Sequence, residues 1–166
     1  MSDNVGRGTS NVPVQYHQFD IGDEDGPTGP DLDRGHNGLV RVDDGVIIVM
    51  TGIHTGDVTV TVTLHDTEPA PDSDWQETVE ISAHSASGEL TVRGMMDDLD
   101  EELPVLSFNG PGDYRLRVHA RGRDTAVDLA PDEVTEWYLI QAWPAPFQET
   151  KVLRQTDRYG AAVRAS

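Results

Sequence analysis

Apolar and polar residues alternate with period two through much of this chain, and that alternation predicts strands. The clearest case is Asp57 to Asp66. Val58, Val60, Val62 and Leu64 point one way, and Thr59, Thr61, Thr63 and His65 the other. Period two in β-branched residues is the pattern of a half-buried strand. Residues 113–123 repeat it, with Tyr114, Leu116, Val118 and Ala120 alternating with Arg115, Arg117, His119 and Arg121. Val12 to Ile21 reads as one strand, with Val12, Val14, Tyr16 and Gln18 on one side and Gln15, His17, Phe19 and Ile21 on the other. Shorter candidates are Leu39–Val42 and Val46–Met50, joined as a hairpin by Asp43-Asp44-Gly45, then Gln76–Ala83, Glu89–Arg93, Pro104–Phe108 at an edge, and Val134–Trp143.

Turn residues punctuate these runs. Gly22 to Gly38 combines glycines, prolines and acids and reads as loop, and Asn109-Gly110-Pro111-Gly112 and Pro144-Ala145-Pro146 each close a strand. Met95 to Leu103 supports at most one helical turn, no long stretch has helical periodicity, and no internal repeat is present. The expected architecture is all-β: an antiparallel β-sandwich of about seven or eight short strands with long acidic loops. The expected organisation is a disordered N-terminus over 1–11, a sandwich domain over 12–147, and a tail or docking segment over 148–166.

Composition narrows the function. Among 166 residues there are 12 Lys+Arg and 30 Asp+Glu, a net charge of −18. That balance excludes a nucleic-acid binder, which needs clustered cations, and argues against docking on an anionic membrane. The charge is uneven: residues 1–100 hold 20 acids against four Arg, and residues 101–166 hold ten against eight basic residues. Zero cysteines exclude a disulfide scaffold, a thiolate metal site and a cysteine nucleophile. The opening Met-Ser-Asp-Asn-Val-Gly lacks the basic-then-apolar pattern of a signal peptide, and the longest apolar run, Val46 to Met50, is far too short for a membrane span, so a cytoplasmic location is expected.

The motifs of catalysis are missing. No Gly-x-Ser-x-Gly is present, the glycine-rich loop has no Lys and would repel phosphate, and six scattered histidines form no close ligand pair. Neither an enzyme nor a cofactor is expected. Asp23-Glu24-Asp25-Gly26 resembles part of a calcium loop, but in that register Ile21 would be the first ligand and Leu32 the last. Apical loops of a C2-like sandwich could still use Asp23, Asp25, Asp31 and Asp33 for calcium. The row Arg115, Arg117, His119, Arg121 is either an anion site or the partner of cross-strand acids such as Glu77, Glu80, Glu133 or Glu136.

Several segments taken in order resemble the competence protein J family, acidic partners that inhibit a competence-associated DNA-entry nuclease. They are Tyr16-His17-Gln18-Phe19, Asp44-Gly45-Val46-Ile47, Leu106-x-Phe108, Gly112-Asp113-Tyr114-Arg115-Leu116 and Tyr138-x-Ile140, across about residues 14–146. The resemblance implies a nuclease inhibitor and assigns no contact residue. Charge agrees with it, because a carboxylate-rich surface can cover a basic groove shaped for phosphates. The expected function is an inhibitor or immunity-type protein binding a basic nuclease or toxin. Its expected acidic surface is Asp20, Asp23, Glu24, Asp25, Asp31 and Asp33 together with Asp97, Asp98, Asp100, Glu101 and Glu102. The alternatives are the calcium-binding module and an adaptor domain whose acidity is proteome bias. Oligomeric state stays open.

Overall fold

The computed structural model describes residues 4–94 and 102–166. Among the described residues are ten strands: β1 (Asn4–Gln15), β2 (Gln18–Gly22), β3 (Val40–Asp43), β4 (Val46–Met50), β5 (Thr55–His65), β6 (Glu77–Ser85), β7 (Thr91–Arg93), β8 (Gly112–Arg121), β9 (Trp137–Pro144) and β10 (Lys151–Gln155). One 3-10 turn, Arg34–His36, and one helix, α1 (Arg158–Ala165), complete the described elements. No helix among the described residues is long and apolar enough to cross a membrane.

The sandwich expectation needs correction. All ten strands belong to a single sheet in the order β10-β6-β8-β9-β5-β1-β2-β4-β3, with β7 on β2. The sheet is mixed, because β9 returns beside β5 in parallel after the antiparallel pair β6 and β8, and it curls into a half-barrel. Alternation states only that each strand hides one face. A strongly twisted sheet can hide that face against itself as well as against a second sheet. The inward faces form one core that joins Val12 and Val14 of β1 and Phe19 and Ile21 of β2 to Val60 and Val62 of β5 and Leu116 and Val118 of β8.

Two boundaries also differ. β1 begins at Asn4, inside the stretch expected to be disordered, because β5 offers a partner edge that pairs it from Asn4↔His65 to Gln15↔Thr55. The strand expected over 12–21 is two strands, broken at Tyr16–His17. Val12 and Val14 are buried, and so are Phe19 and Ile21. A continuous strand could not put even and odd positions on one face, and the two-residue turn switches the parity.

The C-terminal segment docks. β10 pairs with β6, and α1 is held by a buried guanidinium. Arg123 grips Asp157 through two nitrogens (2.7 and 2.9 Å) and donates to the carbonyls of Gly38 (2.9 Å) and Met50 (3.1 Å). Asp157 in turn caps α1 by accepting from the Gly160 amide at 2.8 Å. One buried cation thus ties α1 to the segments on either side of β3 and β4.

Candidate partner interface

The acids that the sequence singled out fall into three groups. Those of the first group maintain the loop. Asp23 accepts hydrogen bonds from the Ser87 hydroxyl (3.0 Å), the Ser87 amide (3.2 Å), the Asp25 amide (2.9 Å) and the Ser85 hydroxyl. Burial works to raise its pKa, but the bonds from Ser85, Asp25 and Ser87 prevail and hold it below the ordinary 3.8. Asp20 accepts from Gln18 Nε2 at 3.1 Å and lies in register with Arg93, while Glu24 forms an ion pair with Arg93 at 3.1 Å.

The second group faces outward. Asp25, Asp31 and Asp33 are exposed. Asp31 and Asp33 meet Asp43 of β3 around an open cleft of about 530 Å³, whose other walls include Arg34 and Arg41. Asp33 also accepts from the Gly35 amide at 2.6 Å and so caps the 3-10 turn. Glu102 is exposed too, but its backbone lies against Gly8 of β1, beyond β2 and β4 from the cleft. Asp97, Asp98, Asp100 and Glu101 form the third group and lie outside the described residues. Among the described residues no three His, Asp or Glu side chains gather as metal ligands. The calcium set is dispersed accordingly, with Asp23 committed to Ser85 and Ser87.

A second cleft of about 460 Å³ shares the walls Arg34 and Arg41 and adds Tyr16, His17, Met50 and Tyr159. Its rim is the β1–β2 turn, where Tyr16 (φ 57°) and His17 (φ 64°) both occupy the left-handed region. A two-residue hairpin turn of this hand normally takes Asn-Gly, and each side chain with a Cβ there costs about 1–3 kcal/mol. The surroundings hold the turn in place. The Thr51 amide donates to the His17 carbonyl (2.8 Å), and His17 Nδ1 lies 2.9 Å from the Thr51 carbonyl and 3.2 Å from the Tyr159 hydroxyl. His17 Nε2 is 3.0 Å from Asp128, itself at φ 64°. Tyr159 stacks on the His17 ring (5.9 Å, 7°), and His54 packs edge-on against both His17 and Tyr16.

This clustering leaves Tyr16 67% exposed on a tightly held turn. Aromatic and arginine side chains that are fixed before binding are the residues that dominate protein interfaces. Sequence reasoning missed the turn as a site, along with Arg34, Arg41, Asp43 and Tyr159. The available signal was the parity change between Val14 and Phe19.

Comparison with solved structures places the curled sheet among known folds. The chain aligns with ComJ, inhibitor of the DNA degrading activity of NucA, from Bacillus subtilis, at TM-score 0.55 and 18% identity, covering 87% of this chain and 99% of that one. The fold is ComJ-like. A second solved structure, described as Crocagin biosynthetic gene J, aligns at TM-score 0.47 and 13% identity over 85% of this chain and 98% of that one. No protein-family model matches the sequence, and no curated protein matches it.

The expected cross-strand acid also has an address. Glu80 of β6 meets Arg115 at 3.3 Å and Arg117 at 2.9 Å, with all three side chains buried. This part of the basic row is internal structure, so it offers no open anion site.

Proposed function

We propose that this chain is a binding protein that inhibits a nuclease, docking through the Tyr16–His17 turn and the adjoining acidic cleft. The observation that carries the reading is the exposed Tyr16, held on a strained turn whose cleft shares Arg34 and Arg41 with the cleft of Asp31, Asp33 and Asp43, in a fold like that of an inhibitor of a DNA-degrading enzyme. The net charge of −18 speeds encounter with a basic partner and makes the association sensitive to salt. In the bound state, Asp31, Asp33 and Asp43 take the places of substrate phosphates, while Tyr16 supplies apolar contact and a phenol. Arg34 and Arg41, between the two clefts, give the surface a mixed pattern that selects among basic partners.

The test is affinity capture from the source lysate at low salt, followed by a DNA-degradation assay on the captured protein. A captured nuclease that loses activity when the chain is added, and recovers it when Tyr16→Ala and Asp31→Lys are introduced together, supports the reading. Capture of no nuclease, or inhibition that survives the double variant, overturns it.

A further inference from the structure

The outward face of β1, β5 and β9 holds a separate recess of about 340 Å³, at the small end of the roughly 300–1,000 Å³ that small-ligand sites occupy. Its floor is the hydroxyl row of Thr59, Thr61 and Thr63, a direct product of the period-two pattern in β5. Each hydroxyl is anchored by one neighbour. Thr59 donates to Asn11 Oδ1 (2.8 Å), Thr61 pairs with the Thr9 hydroxyl (3.0 Å), and Thr63 pairs with His65 Nε2 (2.8 Å). A hydroxyl has one hydrogen and two lone pairs, so each retains hydrogen-bonding capacity toward the recess.

The walls contain polar atoms that the protein leaves unanswered. His65, only 7% exposed, lines the recess, and its Nδ1 has no partner. The indole N–H of Trp75, on another wall, is enclosed and has none either. Behind Trp75, at 5.6 Å between ring centres, lies the fully buried His119. Its Nδ1 faces the Leu139 carbonyl at 2.9 Å. A carbonyl can only accept, so Nδ1 holds the proton and the unpartnered Nε2 is a bare acceptor. An enclosed polar atom without a partner is destabilising. These nitrogens are all enclosed and His119 lies behind the wall, so the hydrogen bonds to a ligand fall to the threonine row.

Flat apolar surface completes the recess. The Arg121 guanidinium sits 4.9 Å from the Trp75 ring and 5.5 Å from the Trp137 ring and fixes both indoles, leaving Trp137 37% exposed at the rim. Arg7, Arg121 and Asp72 line the recess, a surplus of one positive charge in a strongly acidic chain. That balance disfavours a polyanion and accommodates one carboxylate.

We infer that this recess binds a short saccharide, neutral or carrying a single carboxylate, through the threonine row, with a sugar face against the exposed Trp137 indole.

The full chain is titrated with glucose, N-acetylglucosamine, glucuronic acid, cellobiose and maltose, and binding is followed by tryptophan fluorescence and ligand-detected NMR. At least one of these probes is expected to saturate. Thr61→Val, which keeps side-chain shape and removes one hydroxyl, is expected to weaken that binding about tenfold, with unfolding temperature unchanged. Trp137→Ala, which removes the indole from the rim, is expected to weaken it similarly. Should Trp137→Ala fail to fold, Thr61→Val decides alone. Tyr16→Ala, aimed at the proposed nuclease contact, is expected to leave sugar binding intact. No saturation by any probe, equal affinity in wild type and Thr61→Val, or preferential saturation by adenosine monophosphate overturns the proposal.

Discussion

The acidic cleft beside β3 and the outward face of β6 and β8 both present charged side chains on strands and loops, yet they use them in opposite ways. At the cleft, Asp31 and Asp33 are exposed, and the ion pair of Arg41 with Asp43 at its wall, 3.4 Å, is open to solvent. On β6 and β8, Glu80, Arg115 and Arg117 are removed from water and every guanidinium nitrogen has a partner. Arg117 reaches Glu80, the Pro69 carbonyl (2.9 Å) and Gln141 (3.0 Å), and Arg115 reaches Glu80, Ser82 and the carbonyls of Gln148 and Glu149. Buried charge must be answered inside the chain, so it pins segments 69 and 148–149 onto the sheet. Exposed charge is screened and cheap, which leaves it available to a partner.

The most severe way to break this comparison is Glu80→Ala. It leaves two buried guanidinium groups without the buried carboxylate they share and is expected to cost about 3–5 kcal/mol, read as a lower urea midpoint. A loss below about 1 kcal/mol would place Glu80 with the surface acids. Next comes pH. His65 is held below its ordinary 6.5 first by burial and then by the charge of Arg117. In His119 burial leads as well and outweighs the bond to the Leu139 carbonyl. The unfolded chain protonates both near 6.5 while the folded chain resists. Their contribution to stability is therefore fully present above about 6.5 and is lost as pH falls through and below it. The fall in unfolding temperature between about pH 7.5 and 5.5 is expected to shrink in the His65→Gln/His119→Gln variant.

Tyr16→Gly probes the other side of the comparison. Glycine tolerates φ 57° but costs unfolded-state entropy, so stability is expected to hold or to rise by up to about 1 kcal/mol while nuclease capture is lost. A destabilised variant with capture intact would make the turn structural. The smallest expected change in stability is that of Asp31→Lys, within about 0.5 kcal/mol. The same variant is expected to slow association with the captured nuclease at low salt, with the difference fading as salt rises.

Much of the fold was legible in local pattern. β4 matches its expected bounds, and β5 and β8 hide Val58, Val60, Leu116 and Val118 as their alternation requires. Two features were not legible there. The strand read across 12–21 hid a turn because Tyr16 and His17 are poor turn formers by local propensity, and contacts from Thr51, His54, Tyr159 and Asp128 make that conformation tolerable. A run of carboxylates also does not say which of them the fold engages. Asp23 and Glu24 differ from Asp25 only through Ser85, Ser87 and Arg93, more than 60 positions away in sequence.

The sequence by itself determined an acidic, cysteine-free, β-rich chain and which face of most strands is buried, because charge is additive and side-chain direction in a strand has period two. Only the tertiary structure decided that the strands form one curled mixed sheet, that β9 lies parallel to β5, and that Tyr16 stands at the rim of a cleft sharing Arg34 and Arg41 with the acidic one. Those outcomes depend on pairing and contact between residues distant along the chain. Local alternation permits many such pairings, and the burial of a shared core together with the satisfaction of buried charge selects one.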